Sequence, residues 1–244
     1  MLRKAVGWSA GLVQNLHPEC GRQRPRALSE VAFSGEEAMS GVSARRVGFW
    51  AAASLAVVGA AYAVVVVVGV SKAGTDSPIV DPILAVMEVL TLIAAPLIVV
   101  LMAAIHTKAV AEARLWTAAA LGFGVAMAGL TSAVHFIALT AGRQVGAFVL
   151  EWPSALYAAE LLAWDMFLGM ALVCAAAAFR ERGEVSAGRA LQVTGALCLI
   201  GTIGPVIGDM RVQRIGILGY GLGLPVTCVL VARVFSRAEA EGRG

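Results

Sequence analysis

Glu88, His135, Glu160, Asp165 and Asp209 sit in stretches too apolar to solvate them. An ionisable side chain in hydrocarbon is costly, so such residues face a bundle interior or a hydrated cavity, and each is a functional candidate by default. Carboxylates beside an imidazole can exchange protons near neutral pH, and carboxylate oxygens can hold a cation. Local spacing begins to organise them. Thr131, Ser132 and His135 share one helical face by the i, i+3, i+4 rule, and Thr91 lies one turn beyond Glu88. Glu160 and Asp165 are separated by about 140° around a helix, so they face different neighbours. Tyr157, Glu160 and Trp164 make one side of that helix; Leu161, Asp165, Leu168 and Gly169 make the other.

Two uses of these groups are open. In the first they line a polar pocket for a small ligand, an ion or a proton, as in a sensor or a transport-related module. In the second they only fix helix register: His135 pairs with Glu88 or Asp165, Arg211 or Arg214 caps Asp209, and each interhelical bond contributes about 0.6 kcal/mol. Other chemistries lack their residues. His106 and His135 lie near opposite ends of adjacent spans, roughly 25–30 Å apart along the axis, too far to ligate one haem. There is no HExxH helix for zinc, no GxSxG, no phosphate-binding loop, and the glycines of Gly219–Gly223 fall inside an apolar span. No catalytic residue, metal or cofactor is therefore assigned, and the expectation is a non-enzymatic protein.

The elements that must position these residues follow from composition. Of 244 residues, 59% are hydrophobic and only 14% charged, with mean hydropathy +0.81. Soluble domains are about 45–50% apolar and about 25% charged, so a soluble core and a disordered chain are both excluded. Six runs are long enough to cross hydrocarbon as helix: 48–70, 83–105, 115–139, 157–179, 190–208 and 213–235. Unbroken apolar runs such as Val64–Val68 lack the alternation of a membrane β-barrel. The expected fold is an all-α, multi-pass transmembrane bundle of six spans.

Orientation comes from the cations. About 15 Lys and Arg fall on the side of the termini and the second and fourth connections, against about 4 on the other side. Both termini are thus expected in the cytoplasm, N-in and C-in. The five candidate residues then cluster in roughly the outer 12 Å of the bundle. The positive charge forms no stripe, so nucleic acid is not an expected partner. The bilayer is, and a membrane-protein partner or a second copy remains compatible with a first span free of ionisable groups.

Residues 1–44 read as a disordered cytoplasmic leader, with Met39 the preferred translation start; Met1–Ala38 has no apolar core and cleavage site of a secretory signal. Residues 238–244 read as a short cytoplasmic tail. Cys174, Cys198 and Cys228 lie within spans without a CxxC pair and read as packing residues. Gly204/Gly208 and Gly219/Gly223 have the four-residue spacing that lets two membrane helices approach closely, so the last two spans are expected to form a tight antiparallel hairpin.

The order of features also carries a resemblance. Arg45-Arg46-x-Gly48-x-Trp50 opens the first span, Tyr157 precedes Trp164-Asp165, and Gly208-Asp209-Met210-Arg211 leads into Gly216-Ile-Leu-Gly-Tyr-Gly221. From about Arg45 to Arg237 this resembles uncharacterised six-span membrane proteins of high-GC bacteria. The resemblance implies a bacterial inner-membrane location and the six-span architecture; it implies no activity.

Overall fold

A computed structural model describes the backbone of residues 26–74, 79–145, 150–180 and 183–241. Within them the chain is helical throughout its elements, with no strand. Six helices are long and apolar enough to cross a membrane: α1 Ala44–Ala73, α2 Ile83–Lys108, α3 Ala111–Val145, α4 Ala155–Arg180, α5 Val185–Ile207 and α6 Met210–Arg237. The predicted spans thus exist, and most extend a few residues beyond the expected ends. Polar and basic residues such as Arg114 and Arg143 are carried on helix ends, because a helix satisfies its own backbone wherever hydrocarbon leaves no alternative.

Residues 39–244 form one compact unit, and residues 1–38 are a separate one. Of the expected disordered leader, residues 1–25 lie outside the described residues. From Arg26 the backbone is already helical. No proline follows Pro25 in this stretch, and extending an existing helix costs far less than starting one. The expected tail is likewise helical as far as Glu241.

The helices are ended by specific residues. Ser154 caps α4, its Oγ accepting from the Tyr157 backbone N–H at 3.1 Å. The α5–α6 connection is made by Gly208 and Asp209. Gly208 takes φ +74°, a left-handed conformation that glycine adopts without penalty, and the following N–H of Asp209 closes on the carbonyl of Gly204 at 2.9 Å. Asp209 then caps α6 by accepting from the Arg211 backbone N–H at 2.9 Å.

Packing proceeds from neighbour to neighbour, α2 on α3, α3 on α4, α4 on α5 and α5 on α6. The expected tight hairpin is present; of the four glycines read from the spacing, Gly204, Gly219 and Gly223 make close contacts, and Gly201 and Gly216 join them. Gly201 faces Gly216, Gly204 lies on the backbone of Gln213, and Gly219 lies on Cys198 and Thr194; a Cβ at any of them would collide. Gly208 contributes no packing, because it is spent on the turn. Cys174, Cys198 and Cys228 are all buried and free. α1 approaches α6 at Gly48, against the ring of Phe235, and at Gly59, against Pro225.

Three stretches depart from α-helical pitch into π-helix: Ala138–Gly142 in α3, Leu162–Phe167 in α4 and Leu218–Gly223 in α6. Each inserts a wide turn that changes the phase of the residues beyond it, and such turns occur often beside functional sites.

Candidate functional site

All polar groups of interest belong to the half of the bundle that carries the first, third and fifth connections. They divide into three constellations rather than one.

Nearest the connections, Arg143 holds two acids. Its Nη2 and Nε meet Asp81 Oδ1 and Oδ2 at 2.8 and 2.9 Å in a two-pronged pair, and its Nη1 donates to Glu88 Oε2 at 2.9 Å and to the Ala138 carbonyl at 3.1 Å. The π-helical turn Ala138–Gly142 brings the guanidinium over α2. Glu88 is 2% exposed, and the guanidinium it shares with Asp81 offsets part of the cost of burying it. Asp81 is half-exposed, and its hydrogen bonds to Arg143 hold its carboxyl below the usual aspartate range.

Deeper, α3 meets α4. His135 Nε2 donates to Glu160 Oε1 at 2.7 Å, and Thr131 Oγ1 donates to Glu160 Oε2 at 3.2 Å. Thr131 and His135 do share one face of α3, and that face reads both oxygens of the carboxylate. The expected partner of His135, Glu88 or Asp165, is replaced by Glu160, because Glu88 is already taken by Arg143 and Asp165 points elsewhere.

Asp165 forms the third constellation. It is fully buried, with Oδ2 accepting from Gln213 Nε2 at 3.2 Å. Gln213 also donates to the Tyr220 hydroxyl at 3.2 Å. The other oxygen, Oδ1, lies against the α carbons of the α5–α6 hairpin: a Cβ built on Gly216 would come within 2.2 Å of it, and one on Gly201 within 3.0 Å. Glu160 and Asp165 therefore face different neighbours, as their spacing predicts. Asp209 joins none of these groups; the expected cap by Arg211 is reversed, the aspartate carboxylate capping the Arg211 backbone.

A cavity of about 470 Å³ lies between α1, α2, α3, α4 and α6. Its size falls in the usual range of small-molecule sites, about 300–1,000 Å³. Most of its wall is apolar, including Leu55, Val58, Met87 and Leu90, and its polar groups are few. His135 and Glu160 belong to it, with Thr91 and Trp164. So do Tyr62, Tyr157 and Tyr220, which are every tyrosine in the chain. Trp164 and Tyr220 pack with ring centroids 5.5 Å apart. Among the described residues four buried side-chain atoms make no hydrogen bond: His135 Nδ1, Trp164 Nε1, Asp165 Oδ1 and Thr202 Oγ1, each with almost no accessible surface.

Of the five candidates, then, His135 and Glu160 line the cavity, whereas Glu88, Asp165 and Asp209 do not. Arg143, Asp81, Gln213, Tyr62 and Tyr220 were missed by reading the sequence for intramembrane charge, whereas Tyr157 was placed beside Glu160 and Trp164 by spacing. A signal for Arg143 existed: it is the one cation between the third and fourth spans, within reach of the acids that start the second. Tyr62 and Tyr220 carry no formal charge and gave no such signal.

Among the described residues no set of three His, Cys, Asp or Glu side chains is arranged to hold a metal ion. Comparison with known proteins found no matching family model, no matching curated protein and no matching solved structure.

Proposed function

We propose that this is a non-enzymatic, ligand-binding integral membrane protein, a sensor or transport-related module of the bacterial inner membrane. Both termini lie in the cytoplasm, and the cavity occupies the outward half of the bundle. The orientation is supported by the excess of Lys and Arg on the side of the termini. The ligand reading is carried by one observation: a largely apolar cavity of ligand size, bordered by the His135–Glu160 pair and by three tyrosines.

A structural role is the second reading. It is favoured by the satisfied state of Glu88, which Arg143 binds to α3. Such a group fixes helix register and needs no ligand.

The two are separated by filling the cavity. A Gly221→Leu substitution places a side chain where the wall is open, a Cβ there meeting only Ile217 Cγ2 at 3.6 Å. For the ligand reading, thermal unfolding of the detergent-purified protein is raised by at least one member of a panel of lipophilic molecules, and Gly221→Leu abolishes that response while keeping the fold. If no molecule raises the midpoint and the filled variant behaves as wild type in cells, the structural reading holds.

A further inference from the structure

The charge on the cavity wall has one sign. Among the described residues that line it, Glu160 is the single carboxylate, and there is no Lys or Arg. The hydrogen bonds from His135 and Thr131 use two of about four acceptor positions on that carboxylate. The Glu160 side chain keeps 14% of its surface accessible, so the contact between α3 and α4 does not seal it. In surroundings this apolar a charge acts over several ångströms, and a ligand's charge need not touch an oxygen to be attracted. Arg143 does not supply the counter-charge, because Asp81 and Glu88 hold it.

The aromatic residues select the same sign. Tyr62 comes from α1, Tyr157 and Trp164 from α4, and Tyr220 from α6. Aromatic rings drawn from three helices beside a carboxylate favour an organic cation, because a ring face carries the negative part of its quadrupole. An anion would meet carboxylate and ring faces of its own sign. A neutral molecule would suit the apolar wall but would draw nothing from Glu160. Val67, Leu218 and Leu222 line the cavity from α1 and α6 and are exposed, so the cavity borders surface that lipid tails cover. The fitting ligand therefore joins a positive charge to an apolar body.

We infer that the cavity binds a lipophilic organic ammonium ion, with Glu160 as its counter-charge and the tyrosines and Trp164 as its aromatic surround. This rests on the cavity being a ligand site. The test uses the full chain in an uncharged maltoside detergent, with binding read by titration calorimetry against empty micelles. Three probes share one shape: phenylbutyl-trimethylammonium, the neutral hydrocarbon in which carbon replaces its nitrogen, and phenylbutyl sulfonate. The ammonium carries no N–H, so the comparison isolates charge. Wild type is expected to bind the ammonium about tenfold more tightly than the hydrocarbon. Glu160→Gln keeps the side-chain length and an acceptor for Thr131; it is expected to weaken the ammonium about tenfold and to change the hydrocarbon by less than about twofold. Tyr62→Leu is expected to weaken the ammonium about threefold, and Tyr62→Phe, which keeps the ring, to bind as wild type does.

Equal binding of ammonium and hydrocarbon overturns the cation assignment: the imidazole of His135 then already neutralises Glu160, and an apolar ligand site is left. Tightest binding of the sulfonate overturns it in favour of an anion. An equal loss of ammonium and hydrocarbon in Glu160→Gln overturns Glu160 as counter-charge and leaves it a part of the wall. Binding of no probe overturns this inference. The ligand reading itself falls separately, if a broader panel also leaves wild type and Gly221→Leu indistinguishable. Because the three probes are compared on the unaltered protein, the cation assignment is decided even if Glu160→Gln fails to fold.

Discussion

Between α5 and α6 the backbones touch: a Cβ added at Gly201 would stand 2.7 Å from Gly216 Cα, and one added at Gly204 would stand 2.5 Å from the backbone nitrogen of Gln213. Between α1 and the rest of the bundle there is instead a cavity of about 470 Å³. In the most apolar stretch of α4, 61% of residues are buried, against 11% in α1. In a bilayer, lipid tails are as apolar as leucine, so helices associate by close packing and polar contacts rather than by escape from water. The α4–α6 side takes that route fully. The α1 side does not, and with fewer packing contacts it is free to keep space that a ligand can fill.

The largest effect is expected where the close packing is tightest. Gly216→Ala forces a methyl group to within 2.2 Å of Asp165 Oδ1 while Gly201 blocks retreat on the other side. Overpacking of this kind costs about 3 kcal/mol, or a fall of roughly 6–12 °C in the thermal midpoint by the scaling for chains of this size. Gly122→Ala is the control, since nothing lies within 4 Å of its Cβ. An equal fall in both would mean that glycine as such, rather than the contact with Asp165, is what the helices require.

Next comes the Arg143 clamp, which ties α2 to α3 outside the glycine contacts. Arg143→Gln leaves Glu88 buried without its cation; with the guanidinium 30% exposed, water softens the loss to about 2 kcal/mol. Adding Glu88→Gln removes the stranded charge and is expected to restore more than half of that stability in a double-mutant comparison. A pH signature accompanies it. The Asp81 carboxyl is held below its usual range by Arg143, so its contribution is present above the ordinary aspartate pKa and is lost as pH falls through the depressed folded value. That acid-side loss of stability should be smaller in Arg143→Gln. A variant as acid-sensitive as wild type would show that Asp81 gains nothing from the pair.

How much of this was readable beforehand differs between the two regions in the same way. Span positions and the α5–α6 hairpin follow from apolar run length and glycine spacing, both local properties. The opposite faces of Glu160 and Asp165 also follow from spacing alone. Pairing between helices does not. His135 finds Glu160 because α3 and α4 are neighbours with a particular rotation, and the π-helical turns that set this rotation have no simple sequence mark. Arg143 reads as a loop residue until the wide turn Ala138–Gly142 carries it over Glu88. The cavity is harder still, since it is defined by where side chains are absent, and its tyrosines come from α1, α4 and α6.

Within the cavity the effects shrink. His135→Leu removes one of two hydrogen bonds to Glu160, leaves Thr131 in place, and is expected to lower stability by about 1 kcal/mol, measured by the same unfolding. A loss as large as that of Gly216→Ala would mark the His135–Glu160 pair as part of the rigid side.

The smallest change makes the sharpest comparison. Gly221 lies on α6 little more than a turn beyond Gly216, but it faces the cavity, and a Cβ there meets only Ile217 Cγ2 at 3.6 Å, an ordinary contact. Alanine is the better helix former by up to about 1 kcal/mol, although the π-helical turn here reduces that benefit. Gly221→Ala is therefore expected to leave stability within about 0.5 kcal/mol of wild type, on the stabilising side. The same mutation on the same helix, moved by just over one turn, should thus change from the most damaging to the least. If Gly221→Ala destabilised as much as Gly216→Ala, α1 would have to pack against α6 at Gly221 in solution, and the space assigned to a ligand would not exist.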